Sequence, residues 1–329
     1  MLDGLVVVDA SIGMSGALTG KLLAELGAKV IRVVPPGGDP FQEVFPAYEV
    51  WQGVKESVPY DGESALAVLL AGADACIVGG DEHPAMTWRL DPTALHRQHQ
   101  NLVILDISGS PNGSAGVPLA AADLLAQARS GLVWEHFKDR PLMFNMKLPT
   151  YGAILQGIIL LLVAIYERES TGQGRVVQAT FLQGAVAWLG SSWTWAENPQ
   201  GIMGYLPKDL RFPLLECSDG RWLVYSSGRP GVAAAVDNLL GVTSSPEHEA
   251  ELKRAEPGET FFGDVASVAS KAKDWNAAEL LELFIGADVA ADYVLEPVEC
   301  WDDPQVRENG MIKSTESGTE YVGLPIRWQ

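Results

Sequence analysis

Basic residues are scarce in this chain of 329 residues. Lysine and arginine together number 23 against 42 aspartates and glutamates, for a formal net charge of −19. A field of this sign repels phosphate backbones, and the sequence has no compensating basic stripe. We therefore exclude nucleic acid as a partner, and any polyanionic ligand requires a local cationic pocket.

Cysteine and membrane signals are also scarce. The three cysteines, Cys76, Cys217 and Cys300, are odd in number and form no CxxC pair, which predicts a reduced, cytoplasmic setting. The N-terminus lacks the basic start and cleavage site of a secretory signal. The most apolar run, Ile154–Tyr166, covers about 13 residues and includes Gln156. We interpret it as a core helix too short for a bilayer, and expect no membrane association.

Hydrophobic periodicity predicts the fold class. Continuous β-branched runs alternate with segments of helical spacing, as in parallel sheets covered on both faces. The predicted strands are LVVVDA (5–10), KVIRVV (29–34), DACIVGG (74–80) and NLVILDIS (101–108), and the predicted helices cover 16–28, 65–73, 123–137 and 151–169. This alternation predicts a doubly wound α/β domain over about the first 200 residues.

The pattern changes after this first domain. FPLLECSDGRWLVYSS (212–227) is typical of a hairpin around Asp219-Gly220, and helical segments follow it. We therefore predict a large Rossmann-like domain at 1–205, a smaller α+β domain at 206–300 and a segment at 301–329 that returns to the large domain.

Two short motifs point to no chemistry. SGALTGK (15–21) lacks the first glycine of a phosphate-binding P-loop and has Leu22 where magnesium binding requires a hydroxyl. Gly13 and Gly16 instead suit a tight strand-to-helix turn, and the amides at that helix start can face an anionic ligand. His96 and His99 have no nearby carboxylate or cysteine that completes a metal set, so no metal is expected.

Several segments together resemble the class III CoA-transferases, the family that includes carnitine CoA-transferase, formyl-CoA transferase and α-methylacyl-CoA racemase. They occur in the family's order over nearly the whole chain. The segments are 15–40, ADACIV (73–78), ISG (107–109), DLLAQARSGL (123–132), YERESTGQGR (166–175), LLECSDGRWL (214–223) and DDPQVRENGMI (302–312).

The resemblance implies a fold and a chemistry. The family has a Rossmann-like large domain formed by both chain ends and a small domain, and two chains interlock as a dimer. Acyl-CoA binds between the domains. In the transferases an aspartate attacks the thioester carbonyl to form an acyl-aspartyl anhydride. In the racemases the corresponding aspartate works with a histidine in proton transfer at the α-carbon.

The position of that aspartate is occupied by Thr150. A threonine hydroxyl is not ionised near neutral pH, and no base is apparent beside it in the sequence, so we interpret Thr150 as a helix cap. The racemase histidine position is occupied by Ala121 and Ala122. Asp81 lies near a position where the family has an arginine, which weakens the expected anchor for phosphate.

The resemblance places CoA-site positions at Ser15, Gly16, Gln42 and Lys55. Because the catalytic carboxylate is missing, we predict a CoA-transferase-like protein that is the non-catalytic partner subunit of a catalytic paralogue. The alternative is an active acyl-CoA transferase or 2-methylacyl-CoA racemase-like enzyme with altered catalytic residues. No covalently bound cofactor is expected, CoA or acyl-CoA is the expected ligand, and the partner is a paralogue or a second copy.

Overall fold

The computed structural model describes residues 1–82, 88–111, 113, 118–134, 140–190, 213–226, 229, 231–243, 246, 250, 264–315 and 318–323. The chain divides into two compact units, residues 1–194 with 313–329 and residues 195–312. The predicted boundary at 205/206 lies outside the described residues, and the domain limits stay predictions.

A six-stranded parallel sheet forms the centre of the first unit. Its strands are β1 (Val6–Asp9), β2 (Lys29–Val34), β3 (Glu56–Pro59), β4 (Ala75–Gly79), β5 (Val103–Ser108) and β6 (Val176–Thr180), in the order β3-β2-β1-β4-β5-β6. The strands β1 to β3 extend the sheet in one direction and β4 to β6 extend it in the other, so the strand order reverses between β1 and β4. This is the arrangement of a doubly wound fold. This sheet confirms the predicted α/β class.

Helices cover the sheet because the crossovers between parallel strands require them. They are α1 (Gly13–Glu25), α2 (Tyr48–Gln52), α3 (Gly62–Ala71), α4 (Pro92–Gln98), α5 (Asp123–Ser130), α6 (Leu148–Thr171) and α7 (Phe181–Leu189), with a 3₁₀ turn at Leu132–Trp134. Strand residues such as Val8, Ile77, Ile104 and Leu105 are fully buried. Their burial on both faces explains the continuous apolar runs in the sequence.

The second unit is built on a three-stranded antiparallel sheet. Its strands, in the order β7-β8-β9, are β7 (Leu214–Glu216), β8 (Trp222–Tyr225) and β9 (Ala291–Tyr293). Its helices are α8 (Val232–Leu240), α9 (Val265–Ala272), α10 (Ala277–Gly286), α11 (Pro297–Asp302) and α12 (Pro304–Glu308). Leu215, Leu223, Tyr225, Val268 and Phe284 form its buried core. The expected hairpin is the β7–β8 pair, and the unit has the predicted α+β character.

Helix α6 is longer than its apolar run suggests. It has 24 residues and, by length and composition alone, qualifies as a helix that can cross a membrane, although the core helix of a soluble protein passes the same test. Of its most apolar window, 44% is buried inside the protein. The sequence-based argument that this segment is too short for a bilayer is therefore wrong in its premise, because the helix begins at Leu148 and ends at Thr171, beyond both ends of the apolar run.

Two glycines allow α6 and α7 to pack backbone to backbone. A Cβ atom on Gly152 would lie 2.5 Å from the carbonyl oxygen of Gly184, and one on Gly184 would lie 2.3 Å from that of Pro149. Both distances are far below van der Waals contact, and a rigid backbone cannot yield as a flexible side chain can. The close approach of these helices therefore requires glycine at both positions.

We expect Gly152→Ala to lower the free energy of unfolding by about 1–3 kcal/mol, because the added methyl group separates the two helices. Urea unfolding followed by circular dichroism measures this loss. Gly286→Ala is the control, since a Cβ there meets nothing within 4 Å. That variant should be neutral or slightly more stable, because alanine favours a helix. Equal losses in both variants would contradict the close-packing argument.

The last described segment packs on α1. Strands β10 (Ile312–Ser314) and β11 (Glu320–Val322) pair with each other. The buried Lys21 ammonium donates to Glu25 Oε1 at 2.9 Å and to the carbonyl oxygen of Val322 at 3.4 Å, and it lies 5.0 Å from the centre of the Tyr321 ring. The first unit therefore includes residues from both ends of the chain.

Candidate functional site

A cavity lies at the carboxyl ends of β1 and β4, where the strand order of the sheet reverses. Its volume is about 380 Å³. Its wall includes Ala10 and Ile12 after β1, Gly80 and Asp81 after β4, and Trp88. In open α/β sheets this crevice is where ligands bind, so the cavity is the candidate site.

The N-terminus of α1 faces this cavity wall, but its amides already have anionic partners. The Gly13 N–H donates to Asp39 Oδ2 at 3.2 Å. The N–H and the hydroxyl of Ser15 both donate to Asp81 Oδ2, each at 2.8 Å. The helix start that the sequence predicted for an anionic ligand is thus occupied by carboxylates of the same chain.

Gly13 makes this contact with Asp81 possible. Its φ of +71° lies in the left-handed region, and a Cβ there would be 2.6 Å from the Asp81 side chain. Gly16 has a different role, since a Cβ on it would overlap Ser11 at the end of β1. Ser15 and Gly16, two of the predicted CoA-site positions, are both buried here and hold internal contacts. Their role toward CoA stays a prediction.

Burial raises the pKa of Asp81 to about 6 from its ordinary 3.8, while the bonds from Ser15 oppose that shift. A raised carboxyl pKa means that the folded state binds this proton more tightly than the unfolded chain. The resulting stabilisation is complete below pH 3.8 and is lost as the pH rises through 6. Ionised Asp81 therefore destabilises the fold at neutral pH.

Asp81→Asn should raise the free energy of unfolding at pH 7, because the amide keeps an acceptor for Ser15 and carries no charge. The gain should shrink as the pH falls and vanish near about pH 4, where the wild-type carboxyl group is protonated. Urea titrations of both proteins at several pH values measure the difference. A difference that does not vary with pH would contradict the raised pKa.

A buried network of four charged residues lies behind the cavity. The Lys55 ammonium donates to Asp9 Oδ2 at 2.7 Å, to the Ala17 carbonyl at 2.8 Å and to Gln52 Oε1 at 2.8 Å. The Arg32 guanidinium donates to Asp39 Oδ2 at 3.0 Å and lies 3.6 Å from Asp9 Oδ1. Lys55 and Arg32 contribute two positive charges and Asp9 and Asp39 two negative charges, so the network has no net charge.

This network changes the interpretation of Lys55. Its side chain is 0% exposed, and its three N–H groups have the three acceptors just described. The arrangement therefore does not favour Lys55 as a contact for CoA. Gln42 is different, since it lies exposed in the loop after β2, where its backbone N–H donates to the Asp39 carbonyl.

Arg32 and Asp9 were missed by the sequence-based search for functional residues. Each is a charged residue inside a β-branched strand whose neighbours are buried on both faces. A charge at such a position requires a partner within the protein. That signal was present in KVIRVV and LVVVDA, but the sequence does not identify which residues form the partners.

Thr150 is not the N-cap that the sequence suggested. Lys147 precedes the first residue of α6, and Thr150 is the third residue inside the helix. Its N–H and its hydroxyl donate to Asp123 Oδ2 at 3.0 and 2.7 Å. The capping acceptor is therefore the carboxylate of Asp123, the first residue of α5, because it reaches the amide that a local cap would otherwise bind.

The Asp123–Thr150 contact is part of a closed cluster. Asp123 Oδ1 accepts a bond of 2.7 Å from the Gln127 amide, which also donates to the Phe144 carbonyl at 3.1 Å. Thr150 is 1% exposed and Asp123 is 6% exposed. The expectation that Thr150 has no base beside it is wrong, since a carboxylate lies in hydrogen-bond contact with its hydroxyl.

The position that the resemblance assigns to the racemase histidine contributes apolar surface to the cavity. Ala122, one of the two alanines at the position where the resemblance places the racemase histidine, lines the cavity with a methyl group. In the described part of the chain, no group of three or more histidine, cysteine, aspartate or glutamate residues is arranged to hold a metal ion.

Comparisons with known proteins agree with this architecture. The model of the family described as CoA-transferase family III matches residues 2–329. The chain is 24% identical over 283 residues to succinyl-CoA–D-citramalate CoA-transferase of Chloroflexus aurantiacus, covering 76% of this chain and 70% of that protein. It is 28% identical over 199 residues to the succinyl-CoA:(R)-benzylsuccinate CoA-transferase subunit BbsE of Thauera aromatica, covering 54% of this chain and 48% of that protein.

A solved structure has a similar fold. A CAIB/BAIF family protein from Brucella suis has a TM-score of 0.78 and 23% identity, and the match covers 99% of this chain and 92% of that chain.

Proposed function

This chain belongs to CoA-transferase family III and to acyl-CoA metabolism, and from that premise we propose that it is the non-catalytic subunit of a CoA-transferase complex. One observation carries the proposal. The position at which the resemblance places the reacting carboxylate holds Thr150, whose side chain is buried and bonded to Asp123. A partner chain with the aspartate would supply the nucleophile.

The chemistry of the two side chains supports this proposal. An aspartate forms an anhydride with an acyl group, and CoA thiolate reopens that anhydride readily, whereas a threonine ester is far less reactive. Thr150 is also not among the residues that line the cavity at the end of β1 and β4.

An exposed apolar face on α6 supports assembly with another chain. Tyr151, Leu155, Ile159, Val163 and Tyr166 recur every three or four residues, so they lie on one side of the helix, and each is between 46% and 78% exposed. A contiguous apolar patch on a folded protein marks an interface. We propose that a second class III chain covers this face, and that this chain is a catalytic paralogue rather than a second copy of the same protein.

The alternative is an enzyme that acts through Thr150 itself. The specific observation in its favour is the hydrogen bond of 2.7 Å to Asp123, which could accept the proton of an attacking hydroxyl. One contact and the burial of the pair oppose it. The same carboxylate oxygen also accepts the backbone N–H of Thr150, and the pair is almost completely buried.

The test compares the chain alone with the chain co-purified with a homologue that carries the aspartate. We expect no CoA transfer from succinyl-CoA or acetyl-CoA by the chain alone, and transfer by the complex. Replacing the partner's aspartate should abolish turnover. Thr150→Ala should cost about 0.5–2 kcal/mol of stability and leave turnover of the complex nearly unchanged.

Thr19→Ala is the matched control for that variant, because Thr19 is also buried and its hydroxyl donates to the Ser15 carbonyl at 2.7 Å. Both variants should lose similar stability and keep turnover. Transfer by the chain alone that disappears in Thr150→Ala but not in Thr19→Ala would overturn the proposal and establish the alternative.

A further inference from the structure

Among its described lining residues, the cavity at the ends of β1 and β4 has few free backbone hydrogen-bond donors. Six of the residues that line it already donate their backbone N–H groups to backbone carbonyls: Ala10, Ile12, Gly80, Asp81, Glu82 and Ala122. At the adjacent start of α1, the amides of Gly13 and Ser15 are bonded to carboxylates. A phosphate requires several such donors, and here they are already in use.

The acceptors of the cavity are abundant by comparison. Asp81 and Glu82 both line the wall, and Ser15 donates to one of their four carboxylate oxygens, Asp81 Oδ2. Asp39 adds a further carboxylate beside the start of α1. Arg89 is the one charged donor on the wall, so the lining carries a net charge of −1 among its described residues.

An aromatic ring completes the wall. Trp88 lines the cavity and packs edge-on against Tyr60, with ring centres 5.6 Å apart and planes at 63°. This contact holds the indole in place. An indole and carboxylates in the wall of one cavity suit an organic cation, because the ring quadrupole and the carboxylates attract the same charge. Apart from Arg89, the remaining described residues of the wall are apolar, which suits methyl groups.

We propose that this cavity binds the ammonium group of a small organic cation, held by Asp81, Glu82 and Trp88, and that it does not bind the phosphates of CoA. The volume of about 380 Å³ is within the range of small-molecule sites. The residues present do not fit a diphosphate, whose charge would meet two carboxylates. The proposal does not rest on the subunit role proposed above.

Choline and 3,3-dimethyl-1-butanol are matched probes, because they have the same shape and only choline is charged. We expect choline to bind the full-length protein at pH 7.5 and low salt, and the alcohol to bind at least tenfold more weakly, by calorimetry or ligand-observed NMR. Inorganic diphosphate should not compete. Equal affinity for the two probes, no choline binding up to about 50 mM (an affinity weaker than about −2 kcal/mol), or displacement of choline by diphosphate would overturn the proposal.

Variants locate the binding to this cavity. Asp81→Asn should weaken choline binding at least tenfold, and Trp88→Leu should weaken it more than Trp88→Phe, which keeps an aromatic face. Arg89→Gln should strengthen binding, since it removes the opposing charge. Glu279→Gln, an exposed change on α10 that alters net charge equally, should have no effect. A loss of binding in Glu279→Gln equal to that in Asp81→Asn would also overturn the proposal.

The two proposals fail independently in these measurements. A complex that transfers CoA but binds choline no better than the alcohol contradicts only the ammonium site. A chain that binds choline selectively but supports no CoA transfer with any aspartate-bearing partner contradicts only the subunit role.

Discussion

Lys55→Met should lower the free energy of unfolding by about 3–5 kcal/mol, the largest effect that we expect from a single substitution. Methionine fills a similar volume but removes the ammonium from a site with 0% exposure of both partners. Asp9 would keep a buried negative charge, with the Arg32 guanidinium 3.6 Å away as its remaining cationic partner and with Ser11 as a neutral donor. Although burial alone would raise the pKa of Asp9, Lys55 and Arg32 together hold it below its ordinary value. The carboxylate is therefore charged in the wild-type fold.

Lys29→Met is the matched control, because Lys29 pairs with Glu56 at 3.1 Å on the surface of neighbouring strands, with side chains 60% and 56% exposed. Solvent screens such a pair, and the loss should stay below about 1 kcal/mol. Guanidinium unfolding measures both variants. Similar small losses in the two proteins would show that the Lys55 ion pair contributes no more than a surface pair.

A double variant tests whether the loss of stability in Lys55→Met comes from the unpaired charge of Asp9. Asp9→Asn combined with Lys55→Met removes the orphaned charge, so the double variant should be more stable than the sum of the single losses predicts. Full additivity would mean that Asp9 and Lys55 stabilise the fold through separate contacts.

Asp123→Ala should lower the free energy of unfolding by about 3 kcal/mol, the second large effect. The substitution leaves two buried donor groups without an acceptor, namely the Thr150 N–H and the Thr150 hydroxyl, and it removes one acceptor of the Gln127 amide, which keeps its bond to the Phe144 carbonyl. It also removes the negative charge that stabilises the N-terminus of α6. Hydrogen exchange should show lost protection first in the opening turn of α6, near Thr150.

Asp91→Ala provides the comparison for an ordinary local cap. Asp91 caps the exposed helix α4 by accepting the N–H groups of Thr93 at 2.8 Å and Ala94 at 3.2 Å. Water replaces this acceptor at the surface, so the loss should be about 1 kcal/mol. Thr150→Val should fall in the same range, because it removes only the hydroxyl. An Asp123→Ala loss no larger than these would contradict a capping role across the two helices.

The fold could be predicted from local patterns because each pattern has a local cause. Continuous β-branched runs such as VVVD and VILDIS indicate strands buried on both faces, and Gly27 follows the first helix with a φ of +104°. The helix predicted at 151–169 is α6, which begins three residues earlier and ends two residues later, although the apolar run alone is much shorter. Apolar runs indicate the buried middle of a helix, whereas its polar ends depend on what they pack against.

The site could not be predicted to the same depth, because its contacts join residues that are distant in sequence. Thr150 and Asp123 are 27 residues apart, and Lys55 and Asp9 are 46 apart. A resemblance identifies which positions matter in a family, but it does not identify their partners in this chain. The interpretation of Thr150 as a cap was therefore chemically reasonable and structurally wrong.

The packing of the C-terminal segment on α1 has a consequence for synthesis of the protein. Lys21 and its acceptor at Val322 are 301 residues apart, nearly the full chain. At the usual 5–20 residues per second, roughly 15–60 s separate their emergence from the ribosome. During that interval Lys21 and Glu25 have no hairpin over them. The first unit therefore completes its folding only after β10 and β11 have emerged, and a chaperone that shields α1 until then would act on this protein when its partially folded form is most exposed.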